Sequence, residues 1–118
     1  MDSQSLKEKV VDLLEDMKAN EITCLDVKDQ TSVTDYMIVA SGTSSRHVKS
    51  IADYVAEEMK KEGVNPIGTE GERAAEWVLI DFGDVVVHVM MPTARDHYDL
   101  ERLWSGLAPN RDQEQPAG

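Results

Sequence analysis

Two apolar runs, Trp77-Val78-Leu79-Ile80-Asp81-Phe82 and Val85-Val86-Val87-His88-Val89-Met90-Met91, are separated only by Gly83-Asp84. Each is too short and too rich in β-branched side chains for a helix. A two-residue Gly-Asp connection closes antiparallel hairpins, because such turns need backbone angles that glycine adopts without strain. The chain is therefore committed to a sheet. Alternation sorts the hairpin into two faces. Val78, Ile80 and Phe82 join Val85, Val87 and Val89 in one apolar set suited to a core. The other face carries Trp77, Leu79 and Asp81 with Val86, His88 and Met90. That mixture of a large aromatic, aliphatics, a Met and polar groups resembles a protein-binding surface as much as a second core.

The rest of the chain supplies further elements. Leu6, Val10, Leu13, Leu14 and Met17 recur at helical spacing behind Ser5-Leu6-Lys7-Glu8, which reads as a capping box, and Asn20 reads as the stop. A strand is expected from Ile22 to Val27, and a buried strand over Tyr36-Met37-Ile38-Val39-Ala40. Ser44 or Ser45 caps a second helix striped by Val48, Ile51, Ala52, Val55 and Met59. The run from Asn65 to Gly71, with its Pro and two Gly, holds at most a short edge strand. Pro92 ends the hairpin. Thr93 with Asp96 is then expected to cap a third helix striped by Leu100, Leu103, Trp104 and Leu107, with Trp104 in the core. This order predicts an α/β (α+β) domain, a single mixed sheet flanked by helices. At 118 residues the chain is one domain, expected to span 1–108, with 109–118 a polar, aperiodic, disordered tail. Three helices leave the second sheet face either closed or partly open.

Charge narrows the partners. Twenty-three acidic residues against twelve basic ones give a net charge of −11. Nothing in that balance builds the basic patch with which proteins grip phosphates or anionic lipid, so neither nucleic acid nor membrane is an expected partner. A basic macromolecule is. Cys24 is the single cysteine, which excludes an internal disulfide; its apolar-leaning surroundings predict a buried, inert thiol. No run reaches the ~20 apolar residues of a membrane helix, and the acidic, charged N-terminus resembles neither a signal nor a transit peptide, so the expected location is cytoplasmic.

Chemistry finds little support in the sequence. The turn Ser41-Gly42-Thr43-Ser44-Ser45-Arg46 opens a helix and offers amides, hydroxyls and a guanidinium to an anion. It lacks both common phosphate-binding patterns, and the same residues suffice to lead a strand into a capped helix. His47, His88 and His97 share no metal-binding spacing, so no metal or other cofactor is expected. No serine has an evident base. The expected catalytic residues are none.

Four blocks, in order, carry a family resemblance: Asp35 to Val48 with its Ser41-Gly42-Thr43-Ser44-Ser45-Arg46-His47-Val48 string, Glu70-Gly71, Glu76 to Val89, and Tyr98 to Trp104. They resemble the ribosomal silencing factor family, RsfS, also called Iojap. The resemblance implies a non-enzymatic regulator with a nucleotidyltransferase-like fold that lacks the catalytic acidic pair. It implies binding to the fourteenth protein of the large ribosomal subunit, blocking of subunit joining, and translational repression when nutrients fall, with roles in large-subunit maturation. It also implies a contact face on the hairpin side of the sheet and the approach to the last helix, here Trp77, Leu79, His88, Met90, Pro92 and Tyr98. The competing reading is a nucleotide-dependent transferase using the Ser41–Arg46 turn. The free protein is left as monomer or homodimer.

Overall fold

A computed structural model describes residues 1–99. Helix α1 (Ser3–Asp16) leads into strands β1 (Asn20–Asp26) and β2 (Tyr36–Ser41), followed by helix α2 (Ser45–Lys61). Strands β3 (Gly68–Glu70), β4 (Trp77–Asp81) and β5 (Val85–Met90) come next, and helix α3 (Pro92–Tyr98) closes the described chain. The expected α/β class and element order are those observed. The five strands form one mixed sheet in the order β1-β2-β5-β4-β3. Only β2 and β5 run parallel, with Met37 beside Val86 and Val39 beside His88; the other neighbours are antiparallel. The segment from α2 through β4 is thus the crossover that returns the chain to the middle of the sheet.

Helices α1 and α2 cover one face. Leu6, Val10, Leu13 and Leu14 of α1 and Val48, Ile51, Val55 and Met59 of α2 enclose Ile38, Ala40, Val78, Ile80, Phe82, Val85, Val87 and Val89 in one core. The core face of the hairpin is thus the aliphatic set expected from strand alternation, Val78, Ile80, Phe82, Val85, Val87 and Val89. Gly83 occupies the turn at φ +92°, and Phe82 N–H closes it on the Val85 carbonyl. Tyr36 to Ser41 is buried along its whole length, as a central strand of a sheet must be.

Several local expectations are corrected. Helix α1 begins three residues early: Asp2, not Ser5, is its N-cap, and its carboxylate accepts from Ser5 N–H at 2.7 Å. A full negative charge at the positive end of the helix favours the carboxylate over the serine hydroxyl. Asn20 does not stop α1 but starts β1, because the chain has already reversed at Lys18 (φ +58°). Cys24 is exposed rather than buried, since β1 is an edge strand and the helices rest on β2, β4 and β5. Partial desolvation nonetheless pushes its thiol pKa up, away from reactivity. Helix α3 has Met91 at its N-cap and no side-chain cap, so Thr93 and Asp96 do not serve there. Pro92 at N1 has no N–H to satisfy, which removes part of the need. The stripe Leu100, Leu103, Trp104 and Leu107 and the tail 109–118 lie outside the described residues.

Candidate functional site

The second face of the sheet is where the described residues depart from a simple two-layer fold. Register places Thr23 and Leu25 of β1, Met37, Val39 and Ser41 of β2, Val86, His88 and Met90 of β5, and Trp77, Leu79 and Asp81 of β4 on it. Among the described residues, the helix packed there is the short α3, which lies over the end nearest Met90. Ala94 of α3 packs with Val27, Met37, Val39 and Met90 in a second small core, to which Leu25 and Trp77 add partly buried surface.

Arg95 fastens α3 in place. It is buried, and its guanidinium donates to Ser41 Oγ at 2.9 Å and Thr23 Oγ1 at 3.1 Å, joining the helix to two strands. Sequence reading missed this residue, because a lone arginine on a charged helix is by default solvated. Beside it, Glu21, Asp96 and Asp99 help to line an open groove with Thr23 and Arg95, so acidic side chains border this end of the face.

The six residues singled out from sequence fall on this one surface and its α3 lip, but at different depths. Trp77 is half-buried, Leu79 is half-buried, Tyr98 is 52% exposed and Pro92 is exposed. Met90, the cross-strand neighbour of Trp77, is fully buried, and His88 is only 5% exposed. Unlike the other four, these two are not surface side chains in this fold: they form the floor. Alternation gave their side of the sheet but not the return of α3 over it. Above the floor the aromatic rings are in contact. Trp77 and Tyr98 lie 4.6 Å apart between centroids at 47°, and His97 meets Tyr98 edge-on at 4.8 Å. Such tilted and edge-on pairs are favourable beyond the area they bury.

Trp77 is also held from below. Its indole Nε1–H donates to His88 Nδ1 at 2.9 Å. An accepting Nδ1 carries no proton, so the neutral ring bears its proton on Nε2. That Nε2 is buried and has no hydrogen-bond partner among the described residues. Leaving such a donor unpaired disfavours the fold by about 1–3 kcal/mol. Burial also disfavours the imidazolium and lowers the His88 pKa from 6.5 to about 4. Gly71 supports Trp77 from the β3–β4 connection: at φ +87° it passes so close that a Cβ would collide with the Trp77 carbonyl.

The Ser41–Arg46 turn is built differently from a ligand cradle. Gly42 N–H donates to the Met90 carbonyl, and the Ser44 hydroxyl caps α2 by accepting from His47 N–H. Thr43 N–H donates to His47 Nδ1 at 2.9 Å, while His47 Nε2 bonds the Met17 carbonyl at 2.9 Å. The imidazole thus ties the end of α1 to the start of α2. A Cβ on Gly42 would sit 2.8 Å from Val48 Cγ2 and 2.9 Å from Val48 N, so glycine is what lets strand and helix approach there. The Gly42, Thr43 and His47 amides are thus spent inside the fold, joining strand, turn and helix. Among the described residues no cluster of three or more metal-ligating side chains occurs, and no helix is long and apolar enough to cross a membrane.

Comparison with known proteins decides the family. The family model described as "Ribosomal silencing factor during starvation" matches residues 1–117. The chain belongs to the ribosomal silencing factor family. It is 46% identical to the ribosomal silencing factor RsfS of Chromobacterium violaceum over 110 residues, covering 93% of this chain and 90% of that protein. It is 36% identical to the Bacillus subtilis RsfS, covering 95% and 94%. A mouse protein named for mitochondrial assembly of the ribosomal large subunit is 36% identical, over 81% of this chain but only 43% of its own length. Among solved structures, a Chromobacterium violaceum protein at 46% identity superposes with a TM-score of 0.88, covering 93% of this chain and 92% of that one. The family's name describes a silencing, regulatory role, in keeping with the resemblance seen in the sequence.

Proposed function

We propose that this protein binds the large ribosomal subunit through the subunit's fourteenth protein, blocks joining of the small subunit, and so represses translation when nutrients are scarce. A part in large-subunit assembly belongs to the same reading, supported by the name of the mouse relative. One observation carries the assignment of the contact face. An aromatic pair, Trp77 and Tyr98, stands partly open on a sheet face that α1 and α2 leave uncovered, with Leu79 and Pro92 beside it. Aromatic anchors with an acidic border suit a basic protein partner. A chain of net charge −11 has no general attraction for rRNA, so a specific protein dock is the physically sensible route to the ribosome.

The test is a subunit-joining assay followed by light scattering. Wild-type protein preincubated with large subunits should reduce the joined fraction. Leu79→Asp, which puts a charge in the middle of the face, should restore joining. Equal inhibition by the two proteins would remove the sheet face from the mechanism. Unimpeded joining in the presence of saturating wild-type protein would remove the mechanism itself.

A further inference from the structure

His88 stands out as a polar side chain that the fold does not need where it is. It interrupts the run Val85-Val86-Val87-His88-Val89, is buried, and leaves Nε2 without a partner among the described residues. An aliphatic side chain at this point of β5 would pack against the same apolar neighbours and orphan nothing. The hydrogen bond that His88 does make goes to the indole of Trp77, whose other ring contact is Tyr98 on α3. Trp77 has little else of polar character to fix its ring. Its backbone is set by pairing with Met90 and by the close pass of Gly71, but neither dictates the rotation of the indole.

We infer that His88 is a positioning residue that locks the Trp77 indole in the orientation presented, together with Tyr98, to the protein partner. The inference rests on the reading of Trp77 as a contact residue. In the locked arrangement Nδ1 accepts the indole proton, the ring of Trp77 cannot swing away from Tyr98 without breaking that bond, and the aromatic pair meets its partner already ordered. Preordering of this kind strengthens binding by lowering the entropy lost on association rather than by adding a contact.

Four variants of the full chain separate the possibilities, with Trp77→Ala as the reference for lost binding. His88→Leu removes the acceptor and keeps an apolar floor. His88→Asn keeps an acceptor, because Asn Oδ1 stands near the place of His Nδ1, and removes the orphaned Nε2. Trp77→Phe identifies the Trp77 indole resonance by its disappearance. In the free protein, exchange of the Trp77 Nε1–H with solvent, followed by NMR, should speed up about tenfold in His88→Leu and stay near wild type in His88→Asn. Affinity for isolated large subunits should fall about tenfold in His88→Leu and recover in His88→Asn. Unchanged indole exchange in a folded His88→Leu overturns the inference whatever the binding result. So does wild-type affinity of His88→Leu when Trp77→Ala has lost binding. Wild-type affinity of Trp77→Ala itself overturns the contact reading instead, and the exchange measurement still decides whether His88 holds the indole.

Discussion

Replacing His88 by Asn should flatten the acid limb of the stability curve, and the size of the change follows from burial alone. The folded protein holds His88 neutral with its pKa lowered from 6.5 to about 4, whereas the unfolded chain takes up the proton near the ordinary value. Between those two values the unfolded state binds more protons than the folded one, so stability falls as pH falls. Above pH 6.5 the full stability is present. By pH 5 the wild type should have lost about 2 kcal/mol through this group, and by pH 4 about 3 kcal/mol. The assay is urea unfolding of wild type and His88→Asn at half-unit steps from pH 7.5 to 4.5, with the difference in unfolding free energy plotted against pH. Titration of the many carboxylates is common to both proteins and cancels in the difference. The difference should be level above pH 7 and shift towards the variant by about 2 kcal/mol at pH 5. Parallel curves across the whole range would refute the claim that His88 is buried and neutral.

Three further substitutions test the supports of the site. Gly42→Ala forces a methyl group against the backbone and side chain of Val48, and should destabilise by about 1–3 kcal/mol in urea melts. His47→Ala removes the link between the Met17 carbonyl and the Thr43 amide, and should lower stability by about 1–2 kcal/mol without exposing the Trp77 indole. Arg95→Ala cuts α3 from Ser41 and Thr23, and should destabilise by about 2–3 kcal/mol. In hydrogen exchange, Arg95→Ala should release the amides of α3 ahead of those of β5, because the helix loses its anchor while the ladder keeps its bonds.

The hairpin was legible in the sequence because two independent signals agree there, a Gly-Asp turn and two short apolar runs rich in β-branched side chains flanking it. Strand alternation put Trp77, Leu79, His88 and Met90 on one surface, as observed. Depth on that surface was not legible. Whether a strand residue is floor or rim depends on what folds back over it, and the docking of α3 is decided by Arg95 reaching partners 54 and 72 positions away. His47 escaped for the same reason, since the carbonyl it holds is 30 positions back along the chain. The misplaced start of α1 has a local cause: Asp2 and Ser5 are both good caps, and pattern alone does not rank a charged acceptor above a neutral one. Cys24 was misjudged because apolar neighbours in sequence do not reveal that β1 lies at the sheet edge.

The central claim is that this sheet face docks on the large ribosomal subunit. Its most direct test is co-sedimentation of wild type and Trp77→Ala with isolated large and small subunits at matched concentrations. Loss of an aromatic anchor at the centre of an interface typically weakens binding by more than ~2 kcal/mol. The account predicts stoichiometric wild-type protein in the large-subunit pellet, none with small subunits, and no detectable pelleting of a folded Trp77→Ala. Equal pelleting of wild type and Trp77→Ala, or wild-type protein found with small subunits, would contradict it.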